Sequence, residues 1–142
     1  GVSSAASDVY KRQGLAFLVA RNLSWRVLGP SPSSFQLVQL FPQGLAGVAV
    51  QIYAAVSAGL VESIFFIGLP WLLYASARQH PSEMRFTLCV STIFALAHWE
   101  HGRHGVIAAF FAHGVMCRWF LHWRTLWPIV LGHTLIDLAA FS

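Results

Sequence analysis

Charge is what this sequence has least of. Only 10% of its residues are Asp, Glu, Lys or Arg, and only five are acidic, while 56% are hydrophobic and the mean hydropathy is +0.60. A soluble globular domain carries roughly 25% charged and 45–50% apolar residues. The composition therefore excludes an ordinary soluble domain and points to a polytopic membrane protein. Cysteine is nearly absent too. Cys89 and Cys117 both lie in apolar segments, where they suit buried small hydrophobes better than a disulfide or a metal pair. A basic stripe with polar companions is missing, which argues against nucleic acid. The net charge of +4 comes from Arg residues in short polar stretches (Arg21, Arg26, Arg78, Arg85, Arg103, Arg118, Arg124) that read as flanks of membrane spans.

The expected fold is all-α, a transmembrane helix bundle with a membrane-embedded polar cavity. Residues 1–13, "GVSSAASDVYKRQ", lack an initiator Met and differ in composition from the rest of the chain. They resemble translated sequencing-adapter read-through and are expected to form a tail outside the fold, with the true N-terminus, and one or more spans, lying upstream. Residues 14–34 read as a truncated or interfacial helix over Gly14 to Val27 and a turn at Gly29 to Ser34. Residues 35–142 form the expected core. Its first helix covers about Gly44 to Leu60 and either continues or breaks into Val61 to Ala77. A polar loop, Ala77 to Arg85, precedes a span over Phe86 to His98. Trp99 to Gly105 reads as a polar connection and Val106 to Trp119 as the next helix. Trp127 to Phe141 is the last, with Pro128 near its start. Arg118, Trp119, Trp123 and Trp127 form an expected interfacial belt.

The few acids are informative because they are few. Asp8 lies in the tail, and Glu83 and Glu100 in polar stretches. Only Glu62 and Asp137 sit within apolar segments. A centrally buried acid costs about 2.5–3.5 kcal/mol on insertion scales and tends to mark function. His98 ends an apolar helix, four residues after Phe94. His133 and Asp137 are four apart and so share a helical face. A carboxylate with two imidazoles is a hydrolytic set, in which the acid takes a proton from water and the imidazoles orient it or donate to the oxyanion. The same side chains could instead bind a divalent metal, although an HExxH helix is missing. A Gly-x-Ser-x-Gly elbow and a phosphate-binding Gly loop are also missing. His101 and His104 read as solvated loop residues, and His80, His113 and His122 as structural or interfacial.

These residues resemble the CPBP family, which comprises CAAX prenyl endopeptidases of the glutamate type and related Abi-like bacteriocin-processing or self-immunity proteins. Its Glu-Glu-x-x-x-Arg motif aligns with "ESIFFI", where Glu62 is the first Glu. Ser63 stands in place of the second Glu and Ile67 in place of the Arg. Its Phe-x-x-x-His motif is "FALAH" (Phe94, His98), and its His-x-x-x-Asn/Asp motif is "HTLID" (His133, Asp137). The resemblance spans about Gly44 to Phe141. It implies an intramembrane endopeptidase in which Glu62 and His98 activate water, His133 and Asp137 stabilise the oxyanion or orient the site, and Phe94 supports it. It implies no cofactor beyond the catalytic water. The implied partners are membrane lipid and a membrane-associated peptide, prenylated or not, and the implied location is the bacterial inner membrane. The missing Arg would have held Glu62 ionised. Its loss leaves a second expectation: a weak or inactive relative that acts in immunity or binds peptide.

Overall fold

The computed structural model describes residues 2–29 and 44–141; for residues 2–6, 9 and 139–141 it describes the backbone alone. The turn expected at Gly29 to Ser34 and the start of the expected core at residue 35 fall largely outside the described residues. Helix α1 covers Val2–Leu28, and α2 covers Gly44–Ser63. A π-helical turn, Ile64–Gly68, leads into α3, Leu69–Ser76. Helix α4 is Glu83–Ala97, followed by a 3₁₀ turn at Trp99–His101. Helices α5, Gly102–Trp123, and α6, Trp127–Phe141, complete an all-α bundle.

Of the two outcomes open for Gly44 to Ala77, the chain takes the continuous one, a 33-residue helical run from Gly44 to Ser76. Pro70 explains the π turn within it. Proline lacks an N–H and its ring crowds the carbonyl four residues back. The π turn widens the ladder ahead of that clash, with the Leu69 N–H bonding the Ile64 carbonyl five residues back. Such turns recur at functional sites, and this one begins two residues after Glu62.

The run from Gly44 is apolar and only 22% of its most apolar window is buried, so it leaves a broad apolar face exposed. Among the described residues, Trp99–Trp123 is the other helical stretch long and apolar enough to cross a membrane. The inner face of α2 is small: Gly47, Ala55, Gly59 and Ser63 are its buried residues. Four-residue spacing aligns the last three on one stripe, and that stripe packs along α6. The main core joins Ile67 to Phe86 and Val90 of α4, to Met116, Cys117, Phe120 and Leu121 of α5, and to Ile129 of α6. Cys117 is buried as expected, whereas Cys89 is exposed on α4.

Two sequence expectations need correction. The composition break at Gln13 is not a structural break, because α1 runs through it from Val2. The stretch contains Ala, Lys, Arg and Gln, good helix formers, and no Pro. The polar stretch Trp99 to Gly105 is also not an open loop. Gly102 takes φ +70°, a conformation that costs glycine little, and α5 starts there. His104 is therefore helical and buried rather than solvated.

His104 ties α1 to α5. Its Nε2–H donates to the Gly29 carbonyl at 3.0 Å, its Nδ1 meets Ser24 Oγ at 2.9 Å, and its ring stacks on Trp25 with centroids 4.8 Å apart. Arg103 donates to the Leu28 and Gly29 carbonyls at 2.7 and 3.2 Å. Helix C-termini leave carbonyls without intrahelical partners, and these two side chains supply the donors. His104→Ala is expected to destabilise the protein by about 1–3 kcal/mol through the lost bonds, read as a lower unfolding temperature in detergent and faster proteolysis of α1.

At the far end of the bundle, Glu83 pairs with Arg124 at 2.8 Å and Arg118 at 3.3 Å, and Arg124 lies over the Trp71 ring at 4.4 Å. These charges are well exposed. Glu83→Gln is expected to cost about 1 kcal/mol or less and to leave site chemistry unchanged, which the same melting experiment checks.

Candidate functional site

Four side chains picked from the sequence meet at one place. Glu62 sits in the last turn of α2, His98 caps the C-terminus of α4, and His133 and Asp137 lie one turn apart on α6. Glu62 Oε2 is 3.5 Å from His133 Nε2 and 3.8 Å from His98 Nε2. His133 Nε2 is 3.8 Å from Asp137 Oδ2. The cluster is recessed: the side chain of His133 is 7% exposed and that of Glu62 26%.

Local structure sets each member. His98 Nδ1 lies 2.8 Å from the Phe94 carbonyl. A carbonyl only accepts, so Nδ1 carries a hydrogen, and this bond turns Nε2 toward Glu62. The Phe94 ring covers His98 with centroids 4.3 Å apart and meets His133 edge-on at 6.1 Å. Glu62 reaches His133 because α2 and α6 come close at Gly59, where a Cβ would stand 3.0 Å from the Thr134 nitrogen and from the Val130 carbonyl.

The chemistry follows from the spacing. Glu62 Oε2 and His133 Nδ1 are buried without a hydrogen-bond partner. Separations of 3.5–3.8 Å are too long for a direct bond between these groups and too short to hold a water between them, so a water bonded to Glu62 Oε2 would sit beside the contact. Among the described residues, no group of three His, Cys, Asp or Glu side chains has an arrangement that could hold a metal ion.

The positions that depart from the family motif are packed away. Ser63 and Ile67 are both 0% exposed. Ser63 Oγ has no partner, and Ile67 belongs to the apolar core with Cys117 and Met116. Neither brings charge to Glu62, which lies beside the two imidazoles.

Two neighbours were underrated from sequence. His101 is not a free loop residue: its ring stacks on His98 with centroids 5.7 Å apart, and its Nε2 is 3.7 Å from Glu100 Oε1. His113 is 1% exposed and stacks on Phe94. The sign that singled out His133, an imidazole within an apolar helix, applies equally to His113.

Helix bundle, apolar outer faces and a recessed acid–imidazole cluster together define a membrane protein built around a polar site. Comparison with family models identifies the family. The model for Type II CAAX prenyl endopeptidase Rce1-like matches residues 43–139, and the chain belongs to this family. Membership agrees with the resemblance carried by the three motifs and places the chain among CAAX-type intramembrane proteases. Comparison with curated proteins and with solved structures gives no match.

Proposed function

We propose that the protein hydrolyses a peptide bond in a membrane-associated peptide, prenylated or not, using a water activated by Glu62. The observation that carries this reading is the convergence of Glu62 Oε2 on two imidazole Nε2 atoms at 3.5 and 3.8 Å. A water bonded to Glu62 Oε2 beside the imidazoles can give a proton to the Glu62 carboxylate and attack the scissile carbonyl. His98, His133 and Asp137 orient the water and the developing oxyanion, and Glu62 returns the proton to the leaving amine.

Helix length supports a site within the membrane. Helix α4 has 15 residues, and at 1.5 Å per residue it spans about 22 Å. Starting at one interface, it ends inside a hydrocarbon core of about 30 Å, with His98 at its tip. The bacterial inner membrane is the location this reading carries.

Ser63 and Ile67 favour a second reading, a peptide-binding or self-immunity relative with little turnover. One experiment separates the two. Purified protein in lipid vesicles is given membrane-tethered fluorogenic peptides, with and without a prenyl group. Cleavage that needs Glu62 supports the protease. Tight peptide binding without cleavage, unchanged by Glu62→Gln, supports the second reading.

A further inference from the structure

His113 has no role in the proposed hydrolysis, yet its burial is costly. It is 1% exposed, and its Nε2 is buried without a partner. A phenyl or leucyl side chain would fill such a position without leaving a polar atom unpaired. The other nitrogen is well occupied. His113 Nδ1 lies 3.1 Å from Ser91 Oγ and 3.4 Å from Cys117 Sγ. Ser91 is itself 1% exposed and Cys117 0%. The three form a polar knot inside otherwise apolar packing between α4 and α5.

The knot has a direction. The His113 ring lies flat on Phe94, with centroids 4.2 Å apart and planes at 21°. Phe94 also contacts His98, with centroids 4.3 Å apart and planes at 37°. Its backbone carbonyl accepts the His98 Nδ1–H at 2.8 Å. Phe66 closes the remaining side, edge-on to Phe94 at 5.2 Å and to His113 at 6.4 Å. Ser91, Phe94 and His98 follow at three- and four-residue intervals on α4, so they share one face.

We propose that His113 is a positioning residue for His98: anchored at Nδ1 by Ser91 and Cys117, it backs the Phe94 ring and so holds the His98 imidazole toward Glu62. An imidazole suits this place because it combines a flat face for stacking with a nitrogen that a hydroxyl can lock, which fixes the plane of the ring. The assignment rests on the protease reading for its kinetic consequences, but its structural core does not depend on turnover.

The test uses full-length protein in lipid vesicles, with a cleavable tethered peptide and Glu62→Gln as a control. His113→Leu removes both the flat face and the anchor. It is expected to lower kcat about tenfold or more, since small misplacements of reacting groups are that costly, with KM within about twofold. The pH profile of kcat/KM shifts with it. His113→Phe restores the flat face and recovers at least half of the lost kcat. Ser91→Ala, which removes one hydroxyl, gives a fall of about two- to fivefold and the same shift, and it stands in if His113→Leu does not fold.

A second readout needs no activity: nitrogen NMR of histidine-labelled protein. His98 gives one sharp Nδ1–H tautomer signal in the wild type, which broadens or splits in Ser91→Ala and His113→Leu. Wild-type kcat, pH profile and His98 signal in these variants overturn the assignment. So does a His113→Phe protein no better than His113→Leu. Cleavage that survives Glu62→Gln instead removes Glu62 from the mechanism, absence of cleavage in the wild type overturns the protease reading, and in either case the NMR result decides on His113.

Discussion

Glu62→Gln is expected to lower peptide cleavage by about 10²–10⁴-fold, the range that a positioned acid–base group contributes. Gln keeps the volume and polarity of the side chain but cannot accept a proton from water. It also keeps an oxygen between His98 and His133, so the helices remain packed and the unfolding temperature moves little. That combination separates a chemical role from a structural one. Were Glu62 there to hold the helices together through its contacts with His98 and His133 at 3.8 and 3.5 Å, its neutralisation would melt the bundle along with the activity. The measurement is initial-rate cleavage of a vesicle-tethered peptide, paired with thermal unfolding of the same preparation. Cleavage within about threefold of wild type would remove Glu62 from the mechanism.

Gly59→Val is expected to have the second largest effect, and for a reason remote from proton transfer. A Cβ at residue 59 would collide with the Thr134 side chain and stand 3.0 Å from both the Thr134 nitrogen and the Val130 carbonyl. Backbone atoms cannot step aside as a flexible side chain can, so α2 must move off α6. Overpacking of this kind costs about 1–3 kcal/mol. Glu62 rides on α2 and His133 on α6, so their 3.5 Å separation opens with the helices. A displacement of about 1 Å can cost about 100-fold in rate, and cleavage should fall by that order while the protein still inserts. Gly14→Ala is the control, since nothing lies within 4 Å of a Cβ there. Equal activity in the Gly59 and Gly14 variants would show that the close approach does not hold the site.

The two experiments bear on different links of one chain. The small residues of α2 set an interhelix distance, and that distance decides whether Glu62 shares space with His133. The π turn at Ile64–Gly68 belongs to the same arrangement. It absorbs Pro70 just beyond Glu62 and lets α2 and α3 form one run, so the Glu62 helix end is not free to fray.

The membrane class was legible in the sequence because it depends on a sum. Few charges and many apolar residues need no tertiary information to exclude a soluble domain. The acid and imidazole candidates were legible for a related reason. A polar group in an apolar helix stands out wherever the helix goes, and a four-residue interval puts His133 and Asp137 on one face by helix geometry alone. The family followed from the order and spacing of three short motifs, and the match over residues 43–139 agrees.

Other features depended on which helix lies beside which. His104 looked like a loop residue because its neighbours Glu100, His101 and Arg103 are polar. Its burial comes from α1 crossing α5 and from the Gly102 turn that starts α5 early. His113 read as structural or interfacial until Ser91, Cys117 and Phe94 surrounded it. The small residues that end at Gly59 suited close packing or a break, and only Thr134 standing opposite decided for close packing. Interhelix partners are separated by long stretches of sequence, 22 residues for Ser91 and His113 and 80 for Ser24 and His104, and no local period encodes them. What the sequence determined by itself was the solvent this chain folds in and the reactive groups it carries there. Only tertiary packing decided that a carboxylate and two imidazoles face one gap, because that depends on how closely α2 and α4 approach α6.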